Sequence, residues 1–151
     1  MEAFLSYGQM IASFLFILTI LVFVHEWGHY IVARMNGVRV EVFSVGFGPE
    51  IWGFYDKNGT RWKISWIPLG GYVKFFGDAS EASTPDEAIN EMSDAEKSVS
   101  FHHKKLSQKV AIVFAGPAVN FIFAILIIAG LYFTYGRMEL APLVGDVLEG
   151  G

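Results

Sequence analysis

Three ionisable side chains stand together at the end of a long uncharged stretch. The segment of residues 22–33 reads VFVHEWGHYIVA and contains His25, Glu26 and His29. Residues four apart share one face of a helix, and Glu26 lies only about 100° round from His25. Two imidazoles so placed can bind one metal ion, with the carboxylate beside the water that the ion carries. The spacing therefore predicts a metal centre in which His25 and His29 are ligands and Glu26 is the general base.

The helix that carries these groups is predicted to cross a membrane. Residues 3–24 contain no charge and would form about 33 Å of helix, enough to span a bilayer core. Residues 110–136 form a second uncharged run. A secretory signal peptide is the alternative for the first run. Such a peptide begins with Lys or Arg, whereas the only charged residue before this run is Glu2, which argues against it. Ionisable groups inside a membrane helix are costly and usually functional. Two simpler interpretations stay open. Neighbouring helices could satisfy the polar groups of these three residues, or this end of the helix could extend beyond the bilayer edge.

The distribution of basic residues predicts the orientation. Ten of the eleven Lys and Arg residues lie between the two runs, and only Arg137 lies outside them. Cytoplasmic loops carry the excess of positive charge in membrane proteins. We expect the loop of residues 36–108 to be cytoplasmic and both ends of the chain to face the other side.

The first part of this loop is predicted to be a small, mostly antiparallel sheet. Asn58-Gly59 is a strong hairpin-turn signal, and Trp62, Ile64 and Trp66 alternate with polar residues along one strand. The apolar face so formed either packs a miniature core or meets the membrane interface, where Trp and Tyr are favoured. The four expected strands are residues 38–47, 50–55, 60–67 and 72–76.

The rest of the loop carries no predicted chemistry. Residues 77–98 hold seven acidic residues and one Lys, which favours a solvated, mobile connector. The basic stretch after it is typical of an interfacial lead-in to the second span. His102 and His103 are adjacent, diverge on a helix and are expected at the surface. The chain has no cysteine, which excludes disulfides and thiolate metal sites, and its net charge of -4 does not suggest a nucleic-acid partner.

Four motifs, taken together, resemble the site-2 proteases, and within them the bacterial regulator-of-sigma-E type. They are HEWGH at residues 25–29, GFGP at 46–49, IPLGGYVKF at 67–75 and FAGPAVNF at 114–121. The resemblance implies an intramembrane zinc endopeptidase of the bacterial inner membrane. Its substrates would be single-span membrane proteins such as anti-sigma factors, cut within their transmembrane segments. The N-terminus would then be periplasmic.

The resemblance also implies roles for single residues. His25 and His29 would bind Zn²⁺, Glu26 would be the catalytic base, and Asn120, with Gly116 and Pro117, would hold substrate near the metal. From the residues alone, Gly116 and Pro117 can equally serve helix packing, and a membrane Asn is often interhelical glue.

An edge strand near the metal helix could hold an unwound substrate by β-addition. Residues 72–76 are the expected edge strand, and Gly70 and Gly71 are expected where two backbones approach closely. These two glycines complete the predicted substrate-binding set.

The resemblance is incomplete at the third metal ligand. A zinc protease site needs three protein ligands, and in the site-2 proteases the third is an Asp on a later membrane helix. The sequence has no Asp-Gly dipeptide, and residues 137–151 resemble the opening of a periplasmic PDZ module. We therefore expect the chain to be the N-terminal part of a longer protease, inactive by itself. A non-catalytic membrane scaffold and a CAAX-type membrane metalloprotease are the alternative functions.

The sequence thus predicts a membrane α-helical fold with a small inserted β-sheet. Two transmembrane helices flank a cytoplasmic, membrane-associated β element. The expected segments are the first helix (1–35), the sheet (36–76), the connector and lead-in (77–108), the second helix (109–136) and the start of the PDZ-like segment (137–151).

Overall fold

The structure, a computed structural model, describes residues 2–80, 84–86 and 91–136, with side chains from residue 6 onward. The predicted PDZ-like segment lies outside the described residues. The elements in chain order are α1 (Glu2–Met35), β1 (Val40–Tyr55), β2 (Arg61–Phe75), α2 (Asp94–Val99), a 3-10 helix (Phe101–His103) and α3 (Leu106–Tyr135).

The two long helices arise from the two uncharged runs. Over Ser6–Met35 and Leu106–Tyr135, both helices are long and apolar enough to cross a membrane. Pro117 lies inside α3, where the missing N–H leaves the carbonyl four residues earlier without its usual helical partner. The predicted architecture of two long apolar helices with a small sheet between them is confirmed.

The sheet contains two long strands rather than the four short ones expected. Gly46 and Gly48 have φ values of 92° and 82°, and β1 reverses direction at these positions. Residues 40–45 pair antiparallel with 71–75, and residues 50–55 pair antiparallel with 61–65. Residues 42–45 also lie beside 61–64 with numbers rising together on both segments, so this inner contact runs parallel. The four segments therefore lie in the order 71–75, 40–45, 61–65, 50–55.

The aromatic face of the sheet is buried at one end only. Trp62 stacks on Phe43 at 4.2 Å between ring centroids, and Tyr30 of α1 meets Trp62 edge-on at 5.0 Å. Further along the same strand, Ile64 is 48% exposed and Trp66 is 69% exposed. The expected apolar face thus packs a core near the end of α1 and leaves the outer part of the sheet uncovered.

The described residues between β2 and α3 make contacts that the sequence did not predict. Asp78 is 3% exposed, and its Oδ1 lies 2.7 Å from Nε2 of His102. The prediction that His102 is a surface histidine is therefore wrong, whereas His103 is exposed. The predicted mobile connector also contains the start of α2, which Ser93 and Glu96 cap with a reciprocal capping box. This capping box explains why an acidic stretch forms a helical turn.

Candidate metal centre

His25 and His29 point their ring nitrogens at a common position. They stand one turn apart on α1, and their Nε2 atoms are 3.2 Å apart. Two nitrogens at about 2.0–2.1 Å from a tetrahedral ion are about 3.3–3.4 Å apart. The separation of the two imidazoles therefore fits two ligands of one zinc ion.

The carbonyl oxygen of Ile112 on α3 orients the second of these rings. It lies 2.8 Å from Nδ1 of His29. A carbonyl only accepts hydrogen bonds, so Nδ1 of His29 carries the proton and donates it. In the neutral ring this arrangement leaves the lone pair on Nε2, the atom that faces His25.

Asn120, also on α3, contacts the other ring. Its Nδ2 lies 3.2 Å from Nδ1 of His25. Among the described residues its Oδ1 is buried without a hydrogen-bond partner. Rotation of the amide by 180° would bring that oxygen to Nδ1 of His25. The oxygen would then accept a hydrogen bond from the N–H at Nδ1, which leaves the lone pair of Nε2 free for a metal.

Helices α1 and α3 approach closely because a glycine of each, Gly28 and Gly116, lies where they cross. A Cβ built on Gly116 of α3 would stand 2.8 Å from Nε2 of His25 and still closer to Nε2 of His29. A Cβ on Gly28 of α1 would stand 2.7 Å from the carbonyl oxygen of Ala115. Any side chain at residue 116 would thus occupy the space between the imidazoles.

The residues present fit a zinc ion in part. A zinc site needs convergent ligands with outer hydrogen-bond partners, and two such ligands are present here. They are the two imidazoles, each with a partner on α3, and Gly116 leaves space beside them. Within the described part of the chain, no third His, Cys, Asp or Glu completes the group. The expectation that the third ligand is an Asp outside this chain stays a prediction.

An open cleft of ≈ 380 Å³ lies beside the imidazoles. A Cβ on Gly71 of β2 would stand 2.9 Å from Cγ of Glu26 and 2.8 Å from a methyl group of Val22. Gly70 leaves similar room for the ring of Phe47. Both glycines thus lie against side chains, and a Cβ on Gly71 would also stand 2.7 Å from the backbone oxygen of Ser44 in β1; their role toward substrate stays a prediction. The cleft is lined by Leu18, Leu21, Val22, His25, Glu26, Phe47, Leu69, Gly70, Gly71 and Asn120.

One of the predicted site residues lies elsewhere. Pro117 is exposed and lines a separate apolar depression of ≈ 400 Å³ on the outer face of α3. The structure therefore brings Gly116 and Asn120, but not Pro117, to the imidazoles. The carbonyl of Ile112 was missed by sequence reasoning, because a backbone group carries no signal in residue type.

Comparison with known proteins shows the family of the chain. Residues 13–148 match Peptidase family M50, the site-2 protease family. The chain belongs to peptidase family M50. The resemblance that the four motifs indicated is therefore confirmed.

Three relatives illustrate this M50 membership. The putative zinc metalloprotease Atu1380 of Agrobacterium fabrum is 54% identical over 140 residues, which is 92% of this chain and 37% of that protein. The putative zinc metalloprotease R01501 of Rhizobium meliloti is 52% identical over 138 residues, 91% of this chain and 37% of the relative. The metalloprotease MmpA of Caulobacter vibrioides is 42% identical over 150 residues, 93% of this chain and 38% of the relative. The chain thus spans less than two fifths of these proteins.

Proposed function

We propose that this chain supplies two zinc ligands and the general base of an intramembrane endopeptidase. The observation that carries the proposal is the 3.2 Å convergence of His25 and His29 opposite Gly116, with Glu26 opening into the adjacent cleft. Family M50 membership and relatives named as zinc metalloproteases support the same chemistry. The substrates we propose are membrane-spanning segments of other proteins, such as anti-sigma factors.

Glu26 would be the proton carrier of the reaction. A zinc ion held by His25, His29 and a third ligand would polarise the attacking water and the scissile carbonyl. The carboxylate of Glu26 takes the proton of that water and delivers it to the amide nitrogen that leaves. The hydrogen bond that Nδ1 of His29 donates to the carbonyl of Ile112, and the one between Asn120 and Nδ1 of His25, keep the imidazoles oriented while the proton moves.

The substrate would enter the cleft as an extended strand. A peptide bond in a helix is shielded by its own turn, so it must unwind before water can attack. Residues 69–71 lie at the rim of the cleft, beside Glu26, and residues 71–75 form an outer segment of the sheet. Backbone pairing along this outer segment would hold the unwound chain by β-addition.

Proline substitution along residues 72–76 tests this holding. A proline removes a backbone N–H, and β-addition needs those N–H groups of this segment that do not already donate within the chain, as Phe75 does to Asp78 and Phe76 to Arg39. We expect Lys74→Pro to lower cleavage of a membrane-spanning substrate in a protein that retains its zinc. Unchanged cleavage by such a folded variant would contradict β-addition.

We further propose that α1 and α3 cross the bacterial inner membrane. The described side chains of α1 before residue 18 and of α3 after residue 123 are almost all exposed, including Phe16 and Phe133. Lipid would cover this apolar surface. With residues 36–108 in the cytoplasm, a cysteine at Ala79 should react with an impermeant reagent only after the cells are opened. A cysteine at Glu149, outside the described residues, should react in intact cells, and equal labelling of both would contradict this orientation.

The decisive experiment replaces the general base in the full-length protein. Glu26→Gln removes the proton acceptor and keeps both imidazoles, so we expect cleavage of a membrane-spanning reporter to fall at least about 100-fold. Zinc content, measured by elemental analysis, should stay at the wild-type value. Glu91→Gln, the same change in the exposed connector, is the matched control and should cleave normally. Full cleavage by Glu26→Gln would exclude the mechanism and favour a scaffold role for this helix.

A further inference from the structure

A second attachment between α1 and the sheet lies one helical turn beyond Glu26. The hydroxyl of Tyr30 donates to Oδ2 of Asp56 at 3.0 Å. Tyr30 directly follows the ligand His29 and is 8% exposed. Asp56 occupies the turn that joins β1 to β2. This hydrogen bond therefore ties the hairpin turn to the helix that holds the imidazoles.

The carboxylate of Asp56 is held by four donors, and only one of them comes from α1. The indole N–H of Trp62 donates to Oδ2 at 3.1 Å, and the amides of Asn58 and Thr60 donate to Oδ1 at 2.8 and 2.9 Å. These three bonds lie within the hairpin and fix the shape of its turn. The hydrogen bond from Tyr30 fixes where that turn lies relative to the metal helix.

Glu26 and Tyr30 lie four residues apart on the same face of α1, about 6 Å along its axis. Glu26 stands against Gly71, and Tyr30 holds Asp56. The sheet is thus held to α1 by close packing at Gly71, by the aromatic packing of Tyr30 on Phe43 and Trp62, and by a charge-assisted hydrogen bond to Asp56. The hydrogen bond adds direction to this packing, so it restricts the tilt of the sheet relative to α1.

We propose that Tyr30 and Asp56 are positioning residues that set the place of residues 69–71 relative to Glu26. This inference rests on the proposed function, because residues 69–71 lead into the segment of residues 71–75 that we assign to the substrate. Neither side chain lines the cleft. Their effect passes through the sheet, so loss of the bond should change how a substrate binds and leave the metal in place.

The first test separates substrate binding from turnover in the full-length protein. Tyr30→Phe keeps the ring that packs on Phe43 and Trp62 and removes only the hydroxyl. We expect KM for a membrane-spanning substrate to rise about tenfold, with kcat and zinc content near wild type. Asp56→Asn should act in the same direction, and the double variant should be no worse than the poorer single variant. Tyr55→Phe, an exposed neighbour with the same chemical change, should behave as wild type.

A second measurement reports position without catalysis. The chain contains no cysteine, so spin labels can be placed at Leu21 and Leu69, which face the cleft from α1 and from β2. We expect the label-to-label distance to shift and its distribution to broaden in Tyr30→Phe but not in Tyr55→Phe.

The outcomes separate this proposal from the proposed function. An unchanged KM and an unchanged label distance in Tyr30→Phe would overturn the positioning role. Loss of zinc in step with activity would also overturn it, because that result assigns Tyr30 to the metal helix alone. A wild-type protein that holds zinc and cleaves no membrane substrate would overturn the proposed function. The label distance would still decide the positioning role.

Discussion

The two halves of each long helix differ sharply in what surrounds them. Residues 22–33 of α1 pack on α3 and the sheet, and Gly28, Tyr30 and Ala33 are buried. Residues 6–17 of the same helix are exposed almost throughout. In α3 the buried residues Ile112, Ala115 and Gly116 all lie in the half that faces the imidazoles. The polar chemistry is thus confined to the half of each helix that the chain itself packs.

This difference shows how an apolar helix pair can supply the hydrogen-bond partners that a metal centre needs. Close helix packing at Gly28 and Gly116 allows α3 to offer a carbonyl and an amide to the imidazoles. Gly8 and Gly130 in the outer halves make no such contact, since no neighbouring atom lies within 4 Å of a Cβ built on either. The same substitution should therefore damage the metal centre in the packed halves and leave it intact in the outer halves.

The largest effect is expected from a methyl group at the helix crossing. Gly116→Ala places a Cβ against both Nε2 atoms, so the imidazoles or α3 must move. We expect zinc to be lost on dialysis and cleavage to fall at least about 100-fold. Elemental analysis and a reporter assay on the full-length protein measure both.

Gly130→Ala is the matched control on the same helix. Open space surrounds residue 130, and Ala is favoured over Gly in a helix by about 0.5–1 kcal/mol. We expect wild-type zinc content and activity, with equal or slightly higher thermal stability. Equal damage from both substitutions would contradict the contrast between the two halves.

The same contrast explains what the sequence could predict. The spacing of His25, Glu26 and His29 is a local helical property, and the apolar runs follow from composition, so both were available without a structure. The strand segments were placed nearly correctly, but their fusion into two long strands, the first of which reverses at Gly46 and Gly48, was not predicted. The parallel contact of residues 42–45 with 61–64 joins distant segments. Local alternation cannot specify such a pairing.

The buried contact of His102 and the position of Pro117 were missed for the same physical reason. His102 was assigned to the surface because adjacent histidines diverge, yet Asp78 from the end of β2 reaches it. Pro117 was grouped with Gly116 and Asn120 by motif, and one residue along a helix turns its side chain by about 100°, towards the outer face of α3. Its role toward substrate stays a prediction. Tertiary contacts decided both cases, and neither residue type signals its partner.

A smaller effect is expected where α3 orients His25. Asn120→Leu keeps the approximate size and removes the hydrogen bond to Nδ1. Outer partners of metal-bound imidazoles typically contribute roughly 10–100-fold to affinity. We expect zinc affinity, measured by chelator competition, to fall within that range. Thr134→Val in the outer half of α3 should leave it unchanged.

Asn120 also separates two roles. If Asn120→Leu impairs cleavage while zinc affinity stays at the wild-type value, the residue acts on substrate, as the family resemblance implies. A loss of affinity assigns it to the metal centre. A variant with both properties unchanged would contradict both roles.

The smallest effect is expected from acid, which should weaken the hairpin turn at Asp56. Burial alone would raise the pKa of this carboxyl, but hydrogen bonds from the amides of Thr60 and Asn58, the indole of Trp62 and the hydroxyl of Tyr30 together hold the pKa below its usual value. A carboxyl whose pKa is lowered on folding stabilises the fold above the unfolded pKa of about 3.9. That stabilisation is lost as pH falls through the lower folded value.

Amide hydrogen exchange at Asn58 and Thr60 measures this loss directly, because both amides bond to Oδ1 of Asp56. After correction for intrinsic exchange, we expect their protection to decline below about pH 4. The decline should be modest because the turn is largely solvated. Asp56→Asn should remove the pH dependence, since it has no proton to gain. The amides of residues 121–130 in α3, which contain no ionisable side chain, should keep their protection over the same range. A parallel decline in α3 would mean that acid loosens the whole fold rather than the turn that holds the sheet to the metal helix.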